Sequence, residues 1–256
     1  MQTRPSRNMC NLAMLVSLKV MHLSKRTFGA HGRKLGRAVP SISYSSQLVG
    51  TIPYTMYFSI LILMFVGGQL QFSLTKGAFI HPPNLVTQSL LNTLSTIPKP
   101  APEPRIIVIS SIGITHSSHA KLPLLMKPVY SHLLASPHAD KFGAERLLSH
   151  VCGRPWDPTE DGEPAEDIMG PDWMNKAGLP AHGSLKKVLV VRPAFLTDGD
   201  CKAEKRQSGD GKAPYRVSEE ELGGYVVSRK DVAHFIAETA LHNWDAYENK
   251  VVNVGY

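Results

Sequence analysis

The stretch "RIIVISSIGITH", Arg105 to His116, decides the reading of this chain. Its four consecutive β-branched aliphatics favour a strand, since branching at Cβ suits the pleated backbone. They do not alternate with polar residues. A strand of that kind is buried on both faces, as parallel strands are. It runs from Ile106 to Ile109 and stops abruptly on Ser110 and Ser111. A buried strand that ends in two hydroxyls needs a reason for them.

Two further segments share the pattern. "VLVV", Val188–Val191, is followed by Arg192-Pro193-Ala194-Phe195, and "YTMYFSILILMFVGG" centres on Ile60–Val66 and ends in Gly67-Gly68. Between them lie amphipathic segments. The first is Pro83–Ser95, with Leu85, Leu90, Leu91 and Leu94 near helical spacing; the second is Ala139–His150, with Phe142, Leu147 and Leu148 on one side. Asp140 near the start of the second favours the positive end of its dipole. A Pro-rich linker, "IPKPAPEP", separates the first helix from the opening strand. Toward the end come a short strand at Tyr225–Val227, a helix at Lys230–Leu241 with Val232, Phe235, Ile236 and Ala240 inward, and a last strand in "NKVVNVGY". Gly153–Ser184, acidic and rich in Pro and Gly, reads as an irregular insertion. Strands alternating with helices predict an α/β fold: a parallel sheet with helices on both faces. Ligands of such sheets bind beyond the carboxyl ends of the strands. Gly67-Gly68, Ser110-Ser111 and Pro193-Ala194 all fall there, which answers the question of the hydroxyls.

Charge divides the chain of 256 residues. Ten of its 28 basic residues and none of its 21 acidic ones precede Glu103, so a formal +7 becomes −3 for the remainder. The basic, Ser-containing start has the composition of a mitochondrial transit peptide, or is simply an irregular segment over residues 1–50. No aromatic residues interleave with its Arg and Lys and no nucleic-acid motif occurs, so nucleic acid is not an expected partner. The apolar run at Tyr54–Val66 is shorter than the roughly 20 residues of a membrane span, and reads as a core strand rather than an anchor. Cys10, Cys152 and Cys201 are widely spaced and indicate isolated thiols. His116, His119, His132 and His138 lack ligand spacing, so no metal is expected. "FGAHGRKLG" offers Gly29, Gly32 and Gly36 as a phosphate loop, but no buried strand precedes it and no acid follows at the ribose-binding distance.

From about Gly67 onward the chain resembles the atypical short-chain dehydrogenase/reductases, nearest the branch of NmrA-like proteins and biliverdin IX-beta/flavin reductases. The segments that carry the resemblance are "RIIVISSIG", "ADKFGAERLL", "VLVVRPAFLTDG" and "VVSRKDVAHFIAETA", in this order. It implies a Rossmann-like domain over residues 51–256, with the insertion at 153–184 and incomplete or irregular N-terminal strands. It implies that Gly67, Gly68, Ser110, Ser111, Pro193, Ala194 and Phe195 border a nicotinamide cofactor, NADP or NAD. Ser228, Arg229 and Asp231 would support the far side of the site, more as a structural cluster than as catalysts. Ser111 and Lys141 are the catalytic candidates, Ser111 as a hydroxyl that orients ligands and Lys141 as a ribose contact. Against them stand a strand-end cap and a solvated helical lysine.

Two departures from the family pattern matter. The family's Tyr-x-x-x-Lys has Pro137, not Tyr, four residues before Lys141, and Tyr130 is not at that spacing. The usual phosphate loop is missing or degraded, through a truncated or mis-spliced chain start or through loss of the cofactor. The expected activity is reduction of a small organic acceptor by a nicotinamide cofactor, in the cytoplasm or alternatively the mitochondrion. The other expectations are a non-catalytic dinucleotide sensor or scaffold, and a version tethered to a membrane by Tyr54–Val66.

Overall fold

In the computed structural model, residues 19–23, 59–69, 71–73, 77–98, 102–122, 124–125, 127–205 and 213–256 are described. The chain runs β1 (Lys19–Leu23), β2 (Ser59–Met64), β3 (Gln71–Ser73), β4 (Gly77–Phe79), α1 (Leu85–Ser95), β5 (Arg105–Ile109), α2 (His116–Ala120) and α3 (Ala135–Cys152). It continues with α4 (Glu166–Met169), β6 (Val188–Pro193), β7 (Phe195–Thr197), α5 (Lys202–Lys205), β8 (Arg216–Ser218), β9 (Val226–Ser228), α6 (Arg229–Leu241), α7 (Trp244–Tyr247) and β10 (Val251–Gly255). A π-helical turn occupies Val129–Leu133 and a 3-10 turn Trp173–Asn175.

Six strands form the central sheet in the order β1-β2-β5-β6-β10-β8. The four inner ones, β2, β5, β6 and β10, are parallel, and β1 and β8 join the edges antiparallel. The unbroken apolar runs are explained by what each face meets. Ile106 and Val108 of β5, with Val188 and Val190 of β6, enter one core with Leu90, Leu91 and Leu94 of α1 and Leu147, Leu148 and Val151 of α3. Ile107, Leu189 and Val191 point the other way, onto Val232, Phe235 and Ile236 of α6 and Trp244 of α7. Helices thus cover both faces of a mostly parallel sheet, a Rossmann-like arrangement.

Several boundaries differ from the sequence reading. Lys19–Leu23, in a segment expected to be irregular, pairs with β2. Ser59–Met64 is hydrogen-bonded on both sides, to β1 and β5, so this part of the apolar run is a sheet strand and not an anchor. Among the described residues, no helix is long and apolar enough to cross a membrane. The glycines at 29, 32 and 36 and residues 54–58 lie outside the described residues.

Helix α3 starts at Ala135, four residues earlier than expected, because Pro137 falls in the first turn, where a missing N–H costs nothing. It ends at Gly153, whose φ of 68° is the left-handed C-terminal stop that glycine accepts. The longer helix moves Asp140 away from its own N-terminus. Asp140 instead reaches α1, accepting hydrogen bonds from the backbone N–H of Val86 and of Thr87, each at 2.8 Å. These are orphan donors at the start of α1, which has no cap of its own. One buried carboxylate therefore fastens α1 to α3.

A second buried carboxylate closes the C-terminal part. Asp231, fully buried, accepts from the Tyr256 hydroxyl at 2.5 Å, the Ser228 hydroxyl at 2.9 Å, and the backbone N–H of Ala203 at 3.0 Å and Lys202 at 3.1 Å. Its own N–H donates to Ser228 Oγ, capping α6. Burial alone would raise this carboxyl, but the hydrogen bonds outweigh it and hold the pKa at about 2. An unfolded aspartate titrates near 3.9. The resulting stability, on the order of 2 kcal/mol, is present in full above about pH 4 and is lost as the pH falls toward 2. Acid unfolding followed by circular dichroism should show a stability loss across this window, and Asp231→Asn should flatten it while lowering stability at neutral pH.

Candidate functional site

The parallel register aligns three strand ends. Met64 stands opposite Val108, and Ile109 opposite Val191. The chain leaves all three strands at the same edge of the sheet. Ser110 N–H donates to Val191 O at 2.8 Å, and Ile112 N–H to Pro193 O at 3.2 Å, so the Ser110-Ser111 loop continues along β6. Gly67-Gly68, Ser110-Ser111 and Pro193-Ala194 thus share one rim.

The rim residues are not equivalent. A Cβ on Gly68 would lie 2.1 Å from Ile80 Cγ2, so any larger residue there would have to displace the Ile80 side chain. A Cβ on Gly67 would meet nothing within 4 Å, so the space beside it is open. Ser110 is buried and its hydroxyl donates to Glu145 Oε1. Ser111 is only partly buried, and its hydroxyl lowers the pKa of Tyr130 against the effect of burial. Pro193 and Ala194 are buried and Phe195 is largely exposed.

Lys141 is not a solvated helical lysine. Its Nζ donates to Ser110 O at 3.0 Å, and burial pushes its pKa down against the opposing pull of Glu145 and Asp140. Glu145 lies one turn further along the same face of α3. Both its oxygens are taken by Arg192 at the end of β6, through Nε at 3.0 Å and through Nη2. The Arg192 guanidinium keeps its charge despite burial because Glu145 faces it. A forked guanidinium on a carboxylate is the strong geometry for such a pair. Glu145 therefore ties α3 to the ends of β5 and β6 together.

Tyr130 sits on the π-helical turn, buried against Leu122 and the apolar side of the Ser110–Gly113 loop. Burial raises its pKa to about 12, offset in part by Ser111. His138 packs edge-on against Tyr130 at 4.9 Å between ring centroids. Burial, then Lys141 and His119, pull His138 down to about 3, so it is neutral at physiological pH. Sequence spacing gave Tyr130 no role, because only a three-dimensional turn brings it to Ser111. Glu145 and Arg192 did leave a signal: an arginine directly after four buried aliphatics needs a buried partner.

Other expectations are sorted by the fold. Arg229 does not join Asp231; it pairs on the surface with Asp198 at 2.6 Å. Ser228 does join it, as the cap of α6. Among the described residues, no group of three or more His, Cys, Asp or Glu is arranged to hold a metal. The insertion is held to α3 by Arg146, whose guanidinium lies 5.6 Å from the ring centres of both Trp156 and Trp173.

No family model matches the sequence. Over 205 residues the chain is 29% identical to Reductase pytE of Aspergillus terreus, a match that takes in 77% of this chain and 66% of that protein. The chain thus spans just under two thirds of that relative's length. Among solved structures, a short-chain dehydrogenase/reductase (wide type) from Veillonella parvula in complex with NADP gives a TM-score of 0.39 at 14% identity, over 67% of this chain and 57% of that one. The protein chuY from E. coli gives a TM-score of 0.36 at 16% identity, over 67% of this chain and 64% of its own.

Removing Arg192 leaves the Glu145 carboxylate buried without its ion-pair partner, which costs about 3–5 kcal/mol, whereas replacing both by apolar residues costs far less; removing Glu145 leaves Arg192 only the longer pair to Glu221, at 3.7 Å. Urea unfolding of Glu145→Gln, Arg192→Met and the double variant Glu145→Met/Arg192→Met should therefore be strongly non-additive. The double variant should be more stable than either single one.

Proposed function

We propose that this chain is an NAD(P)-dependent oxidoreductase of the atypical short-chain type, which reduces a small organic acceptor. One observation carries the reading: β2, β5 and β6 lie side by side and parallel, so that Gly67, Ser111 and Pro193 meet on one rim, with the Lys141 ammonium held beneath it. The similarity to a reductase supports the same class of activity. The open space at Gly67 and the half-exposed Ser111 hydroxyl suit a flat ring with polar substituents.

When bound, the nicotinamide would supply the hydride. The residues of this chain would do the rest. Gly67, Gly68, Ser110, Pro193, Ala194 and Phe195 would border the cofactor. Ser110 would border the cofactor by its position alone, since its hydroxyl, N–H and carbonyl are engaged with Glu145, Val191 and Lys141. Ser111 Oγ would orient the acceptor by a hydrogen bond. Lys141 would present a partly desolvated ammonium to the cofactor's ribose. Glu145 would hold Lys141, Ser110 and Arg192 in one frame. Solvent would supply the proton, because the Tyr130 hydroxyl is buried and holds its proton to about pH 12.

A second reading, a dinucleotide sensor without turnover, is favoured by that same burial of Tyr130 and by the commitment of the Ser110 hydroxyl inside the protein.

Titration of the purified chain with NADPH and with NADH, followed by nicotinamide fluorescence, tests the proposal. Micromolar binding that weakens at least tenfold in Lys141→Met is expected, with a loss of about 1.4 kcal/mol or more. Ser111→Ala should lower the turnover of a quinone or flavin acceptor by roughly tenfold or more while cofactor binding persists. Binding without any turnover would select the sensor, and no binding at millimolar cofactor would remove both readings.

A further inference from the structure

Four of the large apolar side chains left exposed, Phe72, Leu124, Leu125 and Leu133, lie on the β3–β4 hairpin, the loop after α2 and the π-helical turn. A single exposed apolar residue is ordinary, but several together mark a contact surface. Packing brings these segments together. A Cβ on Gly77 of β4 would lie 2.5 Å from His132 O and 3.2 Å from Leu133 Cα, so the hairpin rests on the π-helical turn. Gly77 stands opposite Ser73, and Ala78 opposite Phe72, which sets Phe72 one residue from that contact.

The loop between α2 and the π-helical turn is held at both ends and not at its tip. Leu122 and Tyr130 enter the same core, on the α6 side of the sheet. His119 Nε2 lies 3.0 Å from Ser131 Oγ, and the Ser131 hydroxyl donates to Lys127 O at 2.7 Å. These contacts fix where the loop leaves and rejoins the protein. Leu124 and Leu125 at the tip are each 81% exposed. Two adjacent leucines held in water are unfavourable, and packing within the chain does not relieve them.

The charge around the tip has one sign. Lys121 is exposed and Lys127 partly exposed, and among the described residues neither pairs with a carboxylate. From Ser59 to Ala139 the sequence holds a single acidic residue, Glu103. Glu103 precedes β5, at the opposite edge of the sheet, and accepts from the backbone N–H of Lys186 and of Lys187. A second copy docked face to face on this surface would set Lys121 and Lys127 against the same two lysines, with no carboxylate to answer them. A bilayer answers both features: acyl chains take the leucines, and anionic headgroups take the ammonium groups.

We propose that Leu124 and Leu125, with the lysines that flank them, form a contact surface for an anionic lipid bilayer. The two leucines enter the acyl region of one leaflet, Phe72 and Leu133 widen the apolar contact, and Lys121 and Lys127 meet the headgroups. The chain lies on the membrane and does not span it. The loop follows directly from Ser110-Ser111, so the contact turns the carboxyl edge of the sheet toward the lipid. It requires no cofactor at that edge.

The test is flotation of the full chain with vesicles of phosphatidylcholine alone or mixed with phosphatidylserine. Binding to the mixed vesicles, weakened by salt, is expected. The basic start of the chain also attracts anionic lipid, so two variants locate the contact. Leu124→Ser/Leu125→Ser, with an unchanged thermal unfolding midpoint, should lower the partition coefficient by roughly tenfold or more. In Leu124→Trp the added indole fluorescence, taken as the difference from wild type, should shift to the blue on mixed vesicles and be quenched by brominated acyl chains. Absence of binding to mixed vesicles overturns the proposal, and so does binding that survives the double serine variant or leaves the indole unquenched. A dimer that the double variant dissociates, without vesicle binding, assigns the surface to a second copy instead.

Discussion

The architecture of the rim depends on one buried carboxylate. Glu145 projects from the middle of α3 and is gripped by Arg192 from the end of β6 and by the hydroxyl of Ser110 from the end of β5. Hydrophobic packing sets how close α3 lies to the sheet, but it is non-directional and does not fix where the helix stands along the strands. A forked ion pair does. It sets the height of α3, and therefore the height of Lys141 one turn away, relative to two strand ends. The low exposure of the pair makes this a demanding constraint: either member alone would be a buried charge.

Much of the scaffold was readable from the residues because burial on two faces imposes a pattern. The aliphatic runs at Ile106–Ile109 and Val188–Val191 could hardly be anything but inner parallel strands, and α1 and α6 had clear apolar faces. The parts that were not readable have short-range sequence and long-range causes. The strands β3, β4, β7 and β8 are three residues each, too short for periodicity to act on, whereas β9, equally short, lies one residue beyond the strand expected at Tyr225–Val227. The start of α3 was placed late because Pro137 reads as a breaker, although a first-turn proline is harmless. Asp140 was assigned to its own helix's dipole when it serves that of α1.

The candidate rim was legible as a set of strand ends and not as a network. Gly67, Ser111 and Pro193 followed from the rule that ligands gather at the carboxyl edge. Glu145, Arg192 and Tyr130 are separated by 15 to 62 residues along the chain and meet only after folding. Of the two glycines at the end of β2, the structure separates one packed tightly against a side chain, Gly68 against Ile80, from one with open space beside it, Gly67.

The common edge of β2, β5 and β6 is the proposed seat of a nicotinamide dinucleotide. Amide hydrogen exchange measured with and without saturating NADPH addresses it directly, because it reads position without requiring turnover. Protection is predicted at residues 65–69, 110–113 and 192–196, with α6 and α7 unchanged. Protection confined to other elements, or none at a cofactor concentration that gives binding, would contradict it.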